Sequence, residues 1–326
     1  MAEVAPARRK KSLLVDGNNM LYHVFDPLST VERLVLAANE CMLGVCAIRR
    51  NVRKTGALDG LFYLLQRLDQ THRPEHISVV FDSAQLPTVR KLEDPAYKSD
   101  RSPTPPFLRA QFRDAREALD HVHGSYIVSP GFEADDIIAS YSAQHAAAGF
   151  DVLIVSNDND CLQLAYDFNL DAPDASVGDS DDAPSSDSLP PATVELYQPM
   201  KRRYIRERNL KGRFELRARL IPDLQALCGH RWGKIPKVDN MTDKLALELL
   251  TRYGGLFAML RQLDTIEDLL LRKTLQRSIS SIERSHRMVK LQTDIALPVA
   301  IEGLQRPQLS ERPHNSSTVD RHEAIP

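Results

Sequence analysis

Hydrophobic residues in the first half of the chain occur as short continuous runs separated by stretches with helical spacing. Three of the runs, Ser12–Val15, Ile77–Phe81 and Val152–Val155, are typical of buried strands. Between the first two runs, apolar residues recur at intervals of three and four positions, which predicts that residues 31–70 are largely helical. Strands and helices that alternate in this way predict an α/β domain with a parallel sheet.

An aspartate stands at the end of each predicted strand. Asp16 and Asp82 directly follow the first two strands, and Asp158 comes shortly after the third. A single aspartate in such a place is usually a turn or helix-cap residue. Because α/β sheets bind their ligands at the carboxyl ends of the strands, three such acids predict a functional site at that edge.

A denser group of acids precedes an apolar helical run near the middle of the chain. Glu133, Asp135 and Asp136 occur within four residues, so they are expected to crowd the N-terminus of that helix. Carboxylates this close repel one another unless a cation lies among them. Asp158 and Asp160 form a further acidic pair, and donors that are all oxygen predict Mg²⁺ or Mn²⁺ as the cofactor.

The segment 83–116 is rich in proline, arginine and lysine, which makes it poor core material. Cations beside an acidic crevice are suited to holding phosphates while metal ions perform the chemistry. A solvated surface helix and loop would have the same composition, so this alternative stays open. The cations concerned are Arg90, Lys91, Lys98, Arg101, Arg109 and Arg113.

Charge is unevenly distributed in the second half of the chain. Residues 171–192 are acidic and rich in serine and proline, which predicts a disordered insertion. Residues 201–220 carry nine lysines or arginines against two glutamates, which fits either contact with a polyanion or a docked surface helix. Residues 221–254 have the pattern helix, loop, helix, which commonly contacts the backbone of DNA or RNA.

The composition suits one large domain or two small ones, with 326 residues, 42% hydrophobic residues and a formal net charge of −2. No apolar run approaches the roughly 20 residues needed to cross a bilayer, so no membrane partner is expected. The four cysteines show no paired spacing. The basic residues 1–11 lack the hydrophobic segment of a secretion signal, which predicts an intracellular protein and leaves mitochondrion, other organelle and nucleus open.

Several of these motifs together resemble the 5′ nuclease family, which includes the 5′→3′ exonuclease domain of bacterial DNA polymerase I, its phage relatives and, more distantly, flap endonucleases. The resemblance covers the chain from about Ser12 to Pro298, and the motifs agree in order and in spacing. The most specific motifs are Leu14-Val15-Asp16-Gly17, Val80-Phe81-Asp82, Tyr97-Lys98-Ser99-Asp100-Arg101, Leu108-Arg109-Ala110-Gln111, Glu133-Ala134-Asp135-Asp136 and Asp158-Asn159-Asp160-Cys161-Leu162-Gln163-Leu164.

The resemblance implies a PIN-like α/β nuclease core followed by a helical DNA-binding module of the H3TH type. We therefore expect a basic tail at 1–11, the core at 12–170, the acidic insertion at 171–192, the helical module at 193–300 and a polar tail at 301–326. Since nothing after Pro298 resembles a polymerase domain, the nuclease domain is expected to stand alone.

The resemblance also implies roles for individual residues. The first metal site would consist of Asp16, Asp82, Glu133, Asp135 and Asp136, and the second would contain Asp158 and Asp160. An arch-like region that receives the single-stranded end and the scissile phosphate would contain Arg90, Tyr97, Lys98 and Arg101. Contacts with nucleic acid are expected from Arg109, Arg231, Lys234, Lys237 and Lys244.

The sequence departs from the family pattern in the loop that supports the second metal site. The family reads Gly-Asp-x-x-Asp-Asn-Ile-Pro there, and this chain has His230 and Gly233 in place of the two aspartates. The hairpin that follows, 238–244, contains no glycine, and His23 stands where the family has an arginine. These departures weaken the expectation of a complete second site.

Two functions therefore stay open. The first is a divalent-metal-dependent 5′→3′ exonuclease or structure-specific 5′-flap endonuclease that acts on DNA, RNA–DNA primers included, in replication or repair; the seven retained acids favour it. The second is a degenerate nuclease kept as a nucleic-acid-binding or structural subunit of a larger assembly, which the lost acids favour. A PIN-type ribonuclease would keep the acids but would not need the helical module.

Overall fold

A seven-stranded, mostly parallel sheet forms the centre of the molecule in a computed structural model, which describes residues 9–24, 45–83, 85–99, 102–120, 126–167, 192–214, 217–230 and 235–304. The strands follow one another in the order β3-β2-β1-β4-β6-β5, with β7 also paired to β6. All pairings are parallel except those of β5 and β7 with β6. The strands are β1 (Lys11–Asp16), β2 (His76–Phe81), β3 (Tyr126–Val128), β4 (Asp151–Val155), β5 (Tyr166–Asp167), β6 (Thr193–Gln198) and β7 (Arg203–Ile205).

Helices cover both faces of the sheet and continue as a helical unit beyond it. The helices of the core are α1 (Gly17–Val24), α2 (Val45–His72), α3 (Val89–Glu93), α4 (Pro106–Asp120) and α5 (Ala134–Ala147). After the last strand come α6 (Glu207–Phe214), α7 (Ile221–Cys228), α8 (Asp243–Tyr253), α9 (Leu256–Arg261) and α10 (Leu269–Val289). A 3₁₀ helix, Asp160–Leu164, follows β4.

Successive residues of the central strands enter two different hydrophobic cores, because neighbouring side chains in a strand point to opposite faces. Leu14 packs with Ile137 and Tyr141 of α5, whereas Leu13 packs with helices on the other face through residues such as Leu61. Burial on both faces explains why these strands are continuous hydrophobic runs rather than alternating ones. A third core joins α7 to α10.

The junction between β1 and α1 depends on a glycine. A Cβ atom at Gly17 would lie 2.5 Å from ring atoms of Phe81, so a larger residue would push the first helix away from β2. This close approach sets Asp16, at the end of β1, beside the end of β2.

The three predicted strands and the helical stretch before β2 are confirmed, although residues 31–44 of that stretch lie outside the described part of the chain. The predicted start of the helical module at residue 193 differs from the structure, because Thr193–Gln198 and Arg203–Ile205 complete the sheet. Residues 171–191, most of the acidic insertion, lie outside the described residues. Among the described helices none has the length and apolarity needed to cross a membrane.

Candidate active site

Asp16 and Asp82 lie side by side at the carboxyl edge of the sheet, each held by hydrogen bonds. Asp16 accepts a bond from the backbone N–H of Asn19 (2.9 Å) and another from the Ser156 hydroxyl (2.8 Å). Asp82 accepts one from the Asn18 side-chain amide (2.8 Å) and one from the backbone N–H of Ala134 (2.8 Å). The turn after β1 therefore positions both carboxylates.

The electrostatics bring Asp135 and Asp158 into the same group. Burial chiefly raises the pKa of Asp16 to about 7, with Asp82 and Asp158 raising it further against the hydrogen bonds from Asn19 and Ser156. Burial also raises the pKa of Asp135 well above its usual range, and Asp16, Asp158 and Asp82 add to the shift. Four carboxylates, from β1, from α5 and from the residues after β2 and β4, thus repel one another at one place.

This group has the chemistry of a divalent-cation site, because a cation would relieve the repulsion that raises the pKa values. Carboxylate oxygens are the donors that Mg²⁺ and Mn²⁺ prefer. As the side chains stand, no group of three or more carboxylate, imidazole or thiol side chains among the described residues is arranged to hold a metal ion. The donor set fits a hard cation that keeps open positions for water and phosphate.

Glu133, the N-cap residue of α5, lies beside this group and holds the segment after β2. Its Oε1 accepts a bond from Lys98 Nζ (2.7 Å), and its Oε2 accepts bonds from Tyr97 Oη (3.1 Å) and Arg90 Nη1 (2.9 Å). Burial alone would raise the pKa of Glu133, but Lys98 and Arg90 outweigh it, so the pKa is lowered. The ionised Glu133 carboxylate therefore holds three predicted site residues in place, namely Arg90, Tyr97 and Lys98.

Arg90 and Asp136 occupy different places from those predicted for them. Arg90 is 5% exposed and forms a two-point ion pair with Asp136, at 2.6 Å and 2.7 Å, so it cannot meet a phosphate as it stands. Asp136 also accepts a bond from the backbone N–H of Gln292 (2.9 Å), which engages both of its oxygens. Arg90, expected in the region that receives the scissile phosphate, and Asp136, expected as a metal ligand, are thus paired with each other in the structure.

Asp160, predicted for the second metal site, already has protein partners. Its Oδ1 accepts a bond from the Gln225 amide (3.2 Å) and lies 3.8 Å from Nε2 of His230. Burial and Asp158 raise the pKa of Asp160, whereas His230 and Gln225 act against the rise. His230, which replaces a family aspartate, thus stands beside the carboxylate that would have needed a cation.

The predicted nucleic-acid contacts are spread over the surface. Lys237 and Lys244 are exposed, one before α8 and one in its first turn. Arg109 is exposed on α4 and bonds the carbonyl of Thr104. Arg101, Arg231 and Lys234 lie outside the described residues.

Sequence reasoning missed the residues that hold the acids in place. Asn18 and Asn19 orient Asp82 and Asp16, and Asn19 also accepts a bond from the backbone N–H of Asn157 (2.9 Å) at the end of β4. The two asparagines directly after Asp16-Gly17 were the available signal, since such side chains commonly bond nearby backbone groups in turns. Ser156 and Gln225 gave no comparable signal, because their partners are remote in sequence.

Two family models match the chain. The 5′-3′ exonuclease, N-terminal resolvase-like domain matches residues 11–179, and the 5′-3′ exonuclease, C-terminal SAM fold matches residues 216–312. The chain belongs to the 5′-3′ exonuclease family. The predicted resemblance and fold class are thereby confirmed, and the helical unit of this 5′-3′ exonuclease family member corresponds to the SAM-fold domain.

Relatives of this family member include both long and short proteins. DNA polymerase I of Rhizobium leguminosarum is 29% identical over 313 residues, which are 93% of this chain and 27% of that protein. A 5′-3′ exonuclease of Aquifex aeolicus is 26% identical over 307 residues, which are 93% of this chain and 89% of that protein. The chain thus spans less than a third of the polymerase relative's length and most of the exonuclease relative's length.

Solved structures show the same fold. The bacteriophage T5 5′-exonuclease with bound zinc ions has a TM-score of 0.58 at 18% identity, covering 87% of this chain and 90% of that one. A bacteriophage T5 flap endonuclease in a complex with DNA and metal ions has a TM-score of 0.59 at 17% identity, covering 86% and 89%. At 17% and 18% identity, the likeness shows that this family member has the same fold as these two proteins.

Proposed function

We propose that this protein is a divalent-metal-dependent 5′ nuclease that cleaves DNA at 5′ ends or flaps, RNA–DNA primers included, during replication or repair. The observation that carries the proposal is the group of four mutually repelling carboxylates, Asp16, Asp82, Asp135 and Asp158, at the carboxyl edge of the sheet. The family membership and the exonuclease relative of nearly the same length support it.

The four acids would hold Mg²⁺ or Mn²⁺, which would lower the pKa of a bound water and neutralise charge on a phosphodiester. The chain's own part is to orient the carboxylates through hydrogen bonds, which also favour their ionised form. Asn18, Asn19 and Ser156 perform this by donating hydrogen bonds to two of them.

Lys98 is the cation that we assign to the phosphate. It lies at the edge of the carboxylate group, bonded to Glu133 and close enough to Asp135 to lower that residue's pKa. Its ammonium, stacked on the Tyr97 ring at 4.9 Å, would stabilise negative charge on the phosphate in the transition state. Exposed Lys237 and Lys244 on the helical unit would contact the DNA backbone without reading sequence.

A degenerate nuclease that binds nucleic acid without cutting it is the second candidate. The observation that favours it is the second site, where Gln225 and His230 already partner Asp160. The four-carboxylate group favours cleavage, since carboxylates that repel one another lower stability and serve no purpose in a protein that only binds.

The test is cleavage of a labelled 5′-flap duplex DNA with Mg²⁺ or Mn²⁺, with EDTA and the Asp135→Ala protein as controls. We expect cutting near the junction in either metal, no cutting in EDTA, and loss of cutting in the variant with binding largely retained. A substrate with an RNA segment at the 5′ end tests primer removal in the same assay.

Binding of the flap without cutting in either metal would establish the second candidate. Cutting that persists in Asp135→Ala would show that the active carboxylates lie elsewhere. A single-stranded RNA of the same sequence serves as the comparison for a ribonuclease.

A further inference from the structure

The chain returns to the nuclease core after the helical unit ends. The C-terminal residue of α10 is Val289, and residues 288–292, here called the C-terminal strap, cross the core between α3, α5 and the 3₁₀ helix after β4. The strap has no strand partner among the described residues. The N–H of Lys290 donates to the carbonyl of His286, and side chains bind most of the backbone groups beyond it.

Arg90 holds the strap with two hydrogen bonds. Its Nε donates to the carbonyl of Met288 (2.9 Å) and its Nη2 donates to the carbonyl of Lys290 (2.9 Å). The remaining N–H groups bind Glu133 and Asp136, so all five guanidinium donors are used. One buried side chain therefore joins the strap to the first turn of α5.

Three further core side chains bind the rest of the strap. Gln163 donates to the carbonyl of Val289 (3.1 Å) and accepts from the N–H of Leu291 (3.0 Å). Asp136 accepts from the N–H of Gln292, and Ser140 donates to the Gln292 carbonyl (3.0 Å).

The residues that hold the strap are interleaved with the site residues. Asp136 follows Asp135 on α5, and Arg90 shares Glu133 with Tyr97 and Lys98. Gln163 lies on the same 3₁₀ helix as Asp160 and donates to its carbonyl (2.9 Å). A change in the strap would therefore displace Glu133 and the start of α5 together.

We propose that the strap is a positioning element of the nuclease site: by binding Arg90, Asp136 and Gln163, it fixes Glu133, Lys98 and the first turn of α5 in their working places. Arg90 is then a positioning residue that acts through Glu133. The strap's effect on cleavage rests on the function proposed above. Its physical connection to Glu133 and the first turn of α5 does not.

Arg90→Lys is the first variant, because lysine keeps the charge but has three donors on one atom, which cannot reach two carbonyls and two carboxylates. We expect kcat on flap DNA to fall by about 10- to 100-fold, the size typical of residues that orient ligands, with KM within about twofold. Glu133 would be held less firmly, so the Lys98 ammonium that it binds would move from its working position. The DNA-binding surface would be unchanged.

Gln163→Ala is the second variant, because Gln163 binds the strap without touching Glu133. A fall in kcat of about tenfold at unchanged KM is expected there also. Arg287→Ala is the matched control: Arg287 joins α10 to Glu93 of α3 through an exposed ion pair at 2.8 Å, at the same junction but away from Glu133. It should keep the kcat of the unmodified protein.

Hydrogen exchange supplies a readout that does not depend on cleavage. In Gln163→Ala, peptides covering 288–292 and 133–137 should both exchange faster, and in Arg287→Ala neither should. Normal protection of 133–137 in Gln163→Ala would overturn the link, as would equal kcat losses in all three variants. If the unmodified protein cuts no flap DNA, the proposed function fails while the exchange result still decides the link.

Discussion

At the scale of single residues, the site is defined by how each acid is compensated. Asp136 is paired with Arg90, whereas burial and neighbouring acids raise the pKa values of Asp135, Asp16 and Asp160. Gln225 and His230 act against the rise only at Asp160. The compensated acids stabilise the fold. We propose that Asp135 and Asp16, whose raised pKa values a bound cation would relieve, belong to the reactive group.

The raised pKa of Asp135 predicts a pH-dependent loss of stability in the metal-free protein. The pKa of this carboxyl is above its unfolded value of 3.8, so between the two values the folded protein holds a proton that the unfolded chain releases. The free energy of unfolding therefore falls as the pH rises from 3.8 towards the folded pKa. In EDTA, Asp135→Asn should therefore melt about 2 °C or more above the unmodified protein at pH 8, and the gap should narrow towards pH 4. Thermal scans at both pH values measure this, and a constant gap would contradict it.

The partners of Asp160 predict that this acid matters less than Asp135. Because Gln225 already bonds Asp160 and His230 lies 3.8 Å from it, Asp160→Asn should lower the flap-cleavage rate by about tenfold or less, whereas Asp135→Asn should remove cleavage. Single-turnover rates in Mg²⁺ compare the two. Equal, complete losses would show that Asp160 belongs to the reactive group.

At the scale of elements, the segment from Thr88 to Ser99 brings cations to the crevice. Thr88 caps α3, and Lys98 has a left-handed backbone with φ of 53°, which turns the chain so that its ammonium reaches Glu133. A non-glycine residue in this conformation is uncommon and is maintained by surrounding contacts. The backbone of this segment therefore places the Lys98 ammonium beside Glu133.

Lys98→Ala should slow turnover on flap DNA by about 100-fold, the size expected when one charge that stabilises the transition state is removed. Binding in Ca²⁺ should change little, because the helical unit supplies most of the DNA contacts in this proposal. Lys91→Ala, an exposed lysine on the same segment, is the control. A full rate in Lys98→Ala would remove Lys98 from the chemistry.

At the scale of the whole molecule, an acidic crevice and a helical unit with exposed lysines are parts of one continuous structure. Buried Asp223 of α7 is paired with His286 of α10 at 2.9 Å and accepts a bond from the N-terminus of α9, which stiffens the helical unit. The C-terminal strap then ties that unit to the nuclease core. DNA held by the helices would therefore lie in a fixed relation to the carboxylates.

The helical unit predicts a salt-dependent affinity for DNA. If Lys237 and Lys244 each neutralise one phosphate, replacing either by alanine should reduce the slope of log K against log salt by about one. Fluorescence anisotropy with flap DNA in Ca²⁺ at several salt concentrations measures the slope. An unchanged slope would place the DNA on another face.

The sequence alone determined the strands, the acids at their ends and the family. Strands buried on both faces must be continuous apolar runs, which makes them visible in a sequence. Asp16, Asp82 and Asp158 follow such runs and Asp135 lies in the acidic motif 133–136, so all four could be found without a structure. The extent of the sheet was missed, because the short strands Thr193–Gln198 and Arg203–Ile205 follow an acidic segment and adjoin a basic one.

Only the tertiary structure decided which acids are free to act. Asp135 and Asp136 are neighbours on one helix and look equivalent in sequence, yet one faces the acidic group and the other faces Arg90. The partners that separate them come from 46 and 156 residues away, in the case of Arg90 and Gln292. The charge state of a buried carboxyl depends on its nearest neighbours in space, and those contacts exist only once the chain has folded.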